Sequence, residues 1–321
     1  MLKKPDKKRK HDVDTVDKSS IKMDESKKKS NKKKSKKSSN NPSKKSFTIS
    51  IALPGSIIDN AQTPELKSYL AGQLARTFAI YCVDEVVIFN EGLNLTNSDP
   101  NESSNIFLAR ILQYLETPQY LRKDLFPVHK DLKYAGLLNP LDCPHHVRQE
   151  EKSQYREGVV IDTKPKGMEG ALVNAGLKKN VLIDQQINPG VRVTLDMGDY
   201  TVVKNAKVVS PKTPSENGIY WGYQIRLANS ISKVFTESPY PDGYDISIGT
   251  SERGKIVDEV INELPEFKHL LIVFGGLSGL EMVIDKDKDL ECAGEEADAL
   301  FDLWINTCPN QGSRTIRTEV L

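Results

Sequence analysis

An α/β domain interrupted by a small all-β barrel, with a basic and disordered tail in front of it, is the architecture this 321-residue sequence predicts. Three observations predict it. Apolar strand runs alternate with amphipathic helical stretches at both ends of the chain beyond residue 46. Between them lies a segment of short alternating runs broken by Gly, Pro, Asn and Asp. The charge is split unevenly, because residues 1–46 hold 18 Lys/Arg against 6 Asp/Glu, while residues 47–321 hold 27 against 38.

The tail reads "KKPDKKRKHD" and then "KKKSNKKKSKKSSNNPSKK". It is too polar to bury a core and too charged to collapse, so residues 1–46 are expected to be disordered. The reading preferred over a solubilising arm is a nuclear, and more narrowly nucleolar, import signal that also holds RNA phosphates. Such a contact weakens steeply with salt and reads no sequence. There is no run of about 18 apolar residues and no apolar signal core, so a soluble intracellular protein with no membrane partner is expected. Four separated cysteines without a CxxC pair fit a reducing compartment better than a disulfide framework.

Past the tail, "FTISIALPG" is a β-branched run stopped by Pro54-Gly55, which predicts a buried strand and a turn. Thr63 then caps a helix whose first residue is Pro64, with Leu66, Leu70, Leu74 and Phe78 as its core face. "DEVVIFNE" (84–91) is the next strand, and strand, helix, strand in this order predicts a parallel βαβ unit. A polar loop covers 92–104. In "NIFLARILQYLET", Phe107, Leu108, Ile111, Leu112 and Leu115 share one helical face. From 155 to 228 the runs "EGVVIDT", "ALVNAG", "NVLIDQ", "GVRVTLDM", "YTVVKNAKVVS" and "YWGYQIRLA" predict a barrel of the oligonucleotide-binding type. Residues 47–154 and 229–321 then form the α/β domain around it. In its second part, "YDISIGTSERG" and "HLLIVFGGLSGLE" are strands running into Gly-rich loops, with a helix (Lys255–Leu264) between them.

Three loops carry the candidate chemistry: "GTSERG" (249–254), "FGGLSGLE" (274–281) and "NTCPNQGSRTIRTE" (306–319). Each is expected near the carboxyl edge of the sheet, where open α/β folds place their ligands. Glycines there let backbone groups approach a flat ligand such as adenosine. G-x-x-x-x-G-K-[ST] is absent, and Gly275-Gly276-x-x-Gly279 is not G-x-G-x-x-G, which disfavours a phosphate-cradling loop. "CPHH" (143–146) lacks a second spaced ligand pair, so no metal is expected and the loop is read as structural or RNA-facing. Tyr220, Trp221 and Tyr223 divide between base stacking and barrel core.

Together with "ALPGSIIDNAQTPELKSYLAGQLAR" and "CVDEVVIF", these loops resemble the SPOUT, or α/β-knot, RNA methyltransferases, in the eukaryotic and archaeal branch with an inserted OB-fold barrel. The resemblance covers residues 47–321 and implies a trefoil-knotted site, S-adenosyl-L-methionine as methyl donor and a dimer, either with itself or with a paralogue. By position it puts the donor against Gly249, Thr250, Ser251, Arg253, Gly275, Gly276, Leu277, Asn306, Thr307, Cys308, Gln311, Gly312 and Ser313. Arg253 is expected on the donor carboxylate or on RNA phosphate.

Methyl transfer needs in-line placement and removal of a proton. No base is evident in the sequence. Asn60, Arg76 and Arg314 are the catalytic candidates, with Arg317 beside the last, and an Arg would orient RNA or lower a pKa. In the related enzymes "RTE" leads into a further helix, whereas here Val320 and Leu321 follow; the expectation is a pocket wall that is missing or supplied by a partner. Two functions are therefore expected: an RNA methyltransferase acting on ribosomal RNA during ribosome biogenesis, or an inactive RNA-binding assembly factor. The expected partners are pre-rRNA and the proteins of pre-ribosomal particles.

Overall fold

The structure, a computed structural model, describes residues 45–92, 100–161, 170–198 and 205–320; the basic tail falls almost wholly outside these. The strands in chain order are β1 (Thr48–Pro54), β2 (Glu85–Phe89), β3 (Tyr155–Val160), β4 (Ala171–Asn174), β5 (Val181–Ile183), β6 (Arg192–Asp196), β7 (Asn205–Val209), β8 (Gln224–Ala228), β9 (Ile246–Ile256), β10 (His269–Val273) and β11 (Leu303–Asn306). Six of them form one sheet in the order β11-β9-β10-β1-β2-β8, and β3-β4-β5-β7-β6 close into a barrel. Every pairing in the six-stranded sheet is parallel. Such a sheet is buried on both faces, which is why β2 is buried at all five positions.

The helix α1 (Pro64–Ile80) begins as its sequence dictates. Thr63 is extended and its hydroxyl accepts from Leu66 N, and Pro64 fills the first helical position. A cap of this kind contributes about 1 kcal/mol. Leu70, Leu74 and Phe78 are buried, but Leu66 is 52% exposed, so the core stripe starts one turn later than expected. The helix α2 (Pro100–Glu116) buries Leu108, Ile111, Leu112 and Leu115 on the same sheet face as α1. The loop expected over 92–104 is shorter, since α2 starts at Pro100. On the opposite face Val87, Phe89 and Leu271 pack against Ile231, Leu280 and Val283.

One expectation fails and another holds only in part. The run "YWGYQIRLA" is not a barrel strand, because β8 pairs in parallel with β2 (Val87 with Arg226) and forms an edge of the main sheet. The barrel therefore ends with β7 rather than extending to residue 228. The helix expected over Lys255–Leu264 is shorter: β9 runs through Ile256, and an α-helical turn (Val257–Val260) passes into a 3-10 turn (Ile261–Glu263).

Barrel and sheet meet in a polar seam whose groups are densely paired. Arg192 on β6 donates to both carboxylate oxygens of Glu116 (2.6 and 3.0 Å) and to Glu157 on β3 (2.7 Å). Glu157 also accepts from Thr194 and from the Trp221 indole. Burial alone would raise the Glu116 carboxyl, but the Arg192 and His145 contacts outweigh it and hold the group at about 2. The buried Arg156 guanidinium donates to the carbonyls of Val147, Arg148, Glu151 and Ala175. No helix among the described residues is long and apolar enough to cross a membrane.

Candidate active site

The three Gly-rich segments are hydrogen-bonded to one another. The first is not a free loop. It lies within β9, but the pairing with β11 jumps from Gly249–Trp304 to Lys255–Ile305, so Thr250–Gly254 bulge out of the ladder. A Cβ at Gly249 would strike the rings of Trp304 and Phe301, and one at Gly254 would strike the Ile305 backbone. These two glycines are required for packing against β11. Thr250 Oγ1 donates to the Val273 carbonyl (3.0 Å) and Ser251 Oγ to Glu281 Oε1 (2.9 Å), which ties the bulge to the second segment.

The third segment closes over both. Asn306 Nδ2 donates to the Glu252 carbonyl (2.9 Å), and its Oδ1 accepts from Cys308 N in a local turn. Thr318 Oγ1 donates to the Gly275 carbonyl (2.6 Å). Thr318 and Glu319 also border an apolar groove of about 330 Å³ lined by Ile51, Leu53, Leu74 and Phe274. Of the remaining expected contact residues, Leu277 is 84% exposed at the tip of its loop, Gly312 has open space where a Cβ would stand, and Arg253, Ser313 and Arg314 are exposed. Thr307 is half-buried beside Asn306.

The catalytic candidates sit on three different elements. Asn60 ends the turn Gly55–Asn60 that follows β1. Arg76, on an exposed face of α1, donates to the Pro140 carbonyl (3.3 Å), a contact that fastens the chain before the "CPHH" loop. Arg317 faces Glu319 at 3.9 Å.

Glu91 is the residue that the sequence did not single out. It follows β2 at the carboxyl edge of the sheet and is only 4% exposed. Its Oε1 is buried with no hydrogen-bond partner. A Cβ built on Gly276 would lie 2.5 Å from that oxygen, 3.0 Å from Ser56 Oγ and 3.1 Å from Pro54 Cγ. Gly276 is thus glycine because this carboxylate, the turn after β1 and the second segment all meet there. Burial raises the Glu91 pKa, with a further push from the Asp59 charge, while the Ser56 hydroxyl pulls it back.

"CPHH" lies in the seam. His145 and His146 both place Nε2 on the Glu116 carbonyl at the end of α2 (2.8 and 2.7 Å), where ring N–H groups donate to a helix-terminal oxygen. Burial lowers His146 to about 4, with the neighbouring His145 acting in the same direction. Burial raises the Cys143 thiol to about 12, helped by the Glu116 charge. Donor atoms of Cys143, His145 and His146 lie within 4.8 Å of one another, close enough to hold a metal ion. The aromatic trio is tied inward: Tyr220 donates to the Val83 carbonyl, Tyr223 to the Leu112 carbonyl and Trp221 to Glu157. Trp221 and Tyr223 are buried, which leaves them no face for a base, and Tyr220 is half-buried against the same core.

The edge offers acceptors to a ligand that carries hydroxyl and cationic groups. Glu91 Oε1, Gln311 Oε1 and Glu319 Oε2 are buried acceptors without donors, all on or beside the three segments. A ligand bringing N–H, O–H and positive charge would satisfy such oxygens.

A family model described as "Putative RNA methyltransferase" matches residues 48–320. The chain is 53% identical over 288 residues to the 28S rRNA (uridine-N(3))-methyltransferase of Homo sapiens, covering 86% of this chain and 76% of that protein. It is 52% identical to the protein of the same name from Mus musculus, covering 86% and 74%, and 50% identical to that from Drosophila melanogaster, covering 85% and 59%.

Proposed function

The chain belongs to the RNA methyltransferase family whose model spans residues 48–320, and on that premise we propose that it methylates N3 of a uridine in large-subunit ribosomal RNA, with S-adenosylmethionine as donor. The observation that carries this reading is the stitching of the three segments at the carboxyl edge of a parallel sheet, through Asn306, Ser251 and Thr318. When bound, the donor supplies a methyl carbon on a positively charged sulfur. The chain's own residues supply position. Gly275 and Gly276 expose backbone for close approach, Gln311 and Glu319 offer acceptor oxygens, and the exposed Arg253 and Arg314 face outward for RNA phosphate.

In this reading residues 47–154 and 229–321 form the trefoil-knotted catalytic domain, the barrel steers RNA, and the Lys-rich tail adds electrostatic hold and nucleolar targeting. The enzyme works as a dimer within the maturing ribosomal particle.

The test uses the purified full chain, methyl-labelled S-adenosylmethionine and ribosomal RNA from cells lacking the activity. Digestion and mass spectrometry should find the label in N3-methyluridine at one position. Label on another atom, or calorimetry showing no donor binding, would remove the reading.

A further inference from the structure

Four glutamates are buried around the sheet and barrel: Glu85, Glu91, Glu116 and Glu157. Three are closed off. Glu85 accepts from Arg226, Ser50 and Tyr244, and Glu116 and Glu157 share Arg192. Glu91 is reached by the Ser56 hydroxyl but by no cation among the described residues. Its Oε1 is unpaired, it forms no ion pair among the described residues, and its neighbour Asp59 is already engaged by Lys67 (2.5 Å) and Ser104. A buried carboxylate kept without a cation is costly for stability, which makes it a candidate for chemistry.

Its place agrees. Glu91 stands at the carboxyl end of β2 against Gly276, the glycine at the centre of the second segment. The proposed reaction also lacks one part. The N3 of uracil carries a proton and offers no free electron pair while it does so; Asn60, Arg76 and Arg314 cannot accept that proton at neutral pH.

We propose that Glu91 is the general base of the reaction, a role that rests on the uridine-N3 reading above. Glu91 Oε1 takes the N3 proton. The electron pair left on N3 forms the new N–C bond to the methyl carbon as the C–S bond breaks, its pair staying on sulfur. The uridine anion and the sulfonium charge are consumed together, and the proton leaves later from Glu91 to solvent. A base held above the ordinary carboxylate range, as burial and Asp59 hold this one, shares the proton more evenly with N3 than an exposed glutamate would.

The test compares wild type with Glu91→Gln on two RNAs, one with uridine at the target and one with 5-fluorouridine, whose N3 proton is more acidic. Glu91→Gln keeps an acceptor oxygen at the same place, so the comparison is made at saturating S-adenosylmethionine, whatever the change in its affinity, and kcat on uridine RNA should fall about a hundredfold or more. On 5-fluorouridine RNA it should recover at least about tenfold relative to wild type. Independently of turnover, a carboxyl-carbon NMR titration of the donor-free chain should show Glu91 titrating above exposed glutamates. An equal loss on both RNAs, undiminished activity or an ordinary Glu91 titration would each overturn the assignment. If wild type itself makes no N3-methyluridine, the function reading falls and takes this one with it.

Discussion

The seam between barrel and sheet and the carboxyl edge of the same sheet treat buried charge in opposite ways. In the seam, Arg192 reaches across to Glu116 and Glu157, and Thr194, Trp221 and His145 occupy further carboxylate lone pairs, so that the carboxylates are satisfied although His145 Nδ1 is left without a partner. At the edge, Glu91, Gln311 and Glu319 each keep a buried oxygen with nothing on it. A low dielectric magnifies both outcomes: a satisfied network rigidifies, and an unsatisfied acceptor waits for a donor. The seam is built to hold still, and the edge is built to receive something.

The largest way to break this contrast is Arg192→Ala, which strands two buried carboxylates. It should cost about 3–5 kcal/mol in denaturant unfolding. A loss under 1 kcal/mol would show that the seam is better hydrated than its geometry indicates. Next comes acid. His146 folds with its pKa near 4 against an ordinary 6.5, and Glu116 near 2 against 4.5. Both folded values are depressed, so the unfolded chain binds more protons in each window and stability falls as pH falls. His146 contributes its loss between pH 6.5 and 4 and Glu116 between 4.5 and 2. The His146 part should be on the order of 2 kcal/mol after allowing for its partial exposure, and His146→Gln should flatten thermal stability between pH 7 and 4.5. A slope unchanged in the variant would point to another group.

The finest test pairs two equal substitutions. Glu157→Gln in the seam should destabilise by about 1–3 kcal/mol, because a charge-assisted network loses its acceptor. Glu91→Gln at the edge should leave the melting temperature unchanged or raise it, because an unpaired buried charge is removed. Equal losses at both sites would erase the distinction between them.

Much of the local structure was legible in the sequence. Thr63-Pro64 set the start of α1, and alternation with turn residues marked each barrel strand, because caps and periodicity act over a few residues. Longer reach was not legible. The run 224–228 alternates as a barrel strand would, yet half-exposed edge strands of a parallel sheet alternate too, and only the partner decides between them. The charged run after Lys255 looked helical, but the ladder with β11 holds β9 extended through Ile256. At the site, the glycines announced themselves while Glu91 did not. A glutamate after a strand ordinarily lies in water, and what removes the water here is Gly276, 185 positions away in the chain. Arg192, Glu116 and Glu157 are separated by 35 and 76 residues, so their meeting could not be read from spacing.

The central strand has a consequence for synthesis. β1 is flanked by β2, which follows within a few dozen residues, and by β10, whose His269 is 221 positions beyond its partner Thr48. At about 5–20 residues per second, the ribosome needs roughly 10–45 s to deliver that second neighbour. Throughout this interval the nascent chain presents a β-branched strand with one bare edge, while the barrel is completed in between. The order of the strands thus leaves one edge of the central strand to be paired only after the barrel has been made.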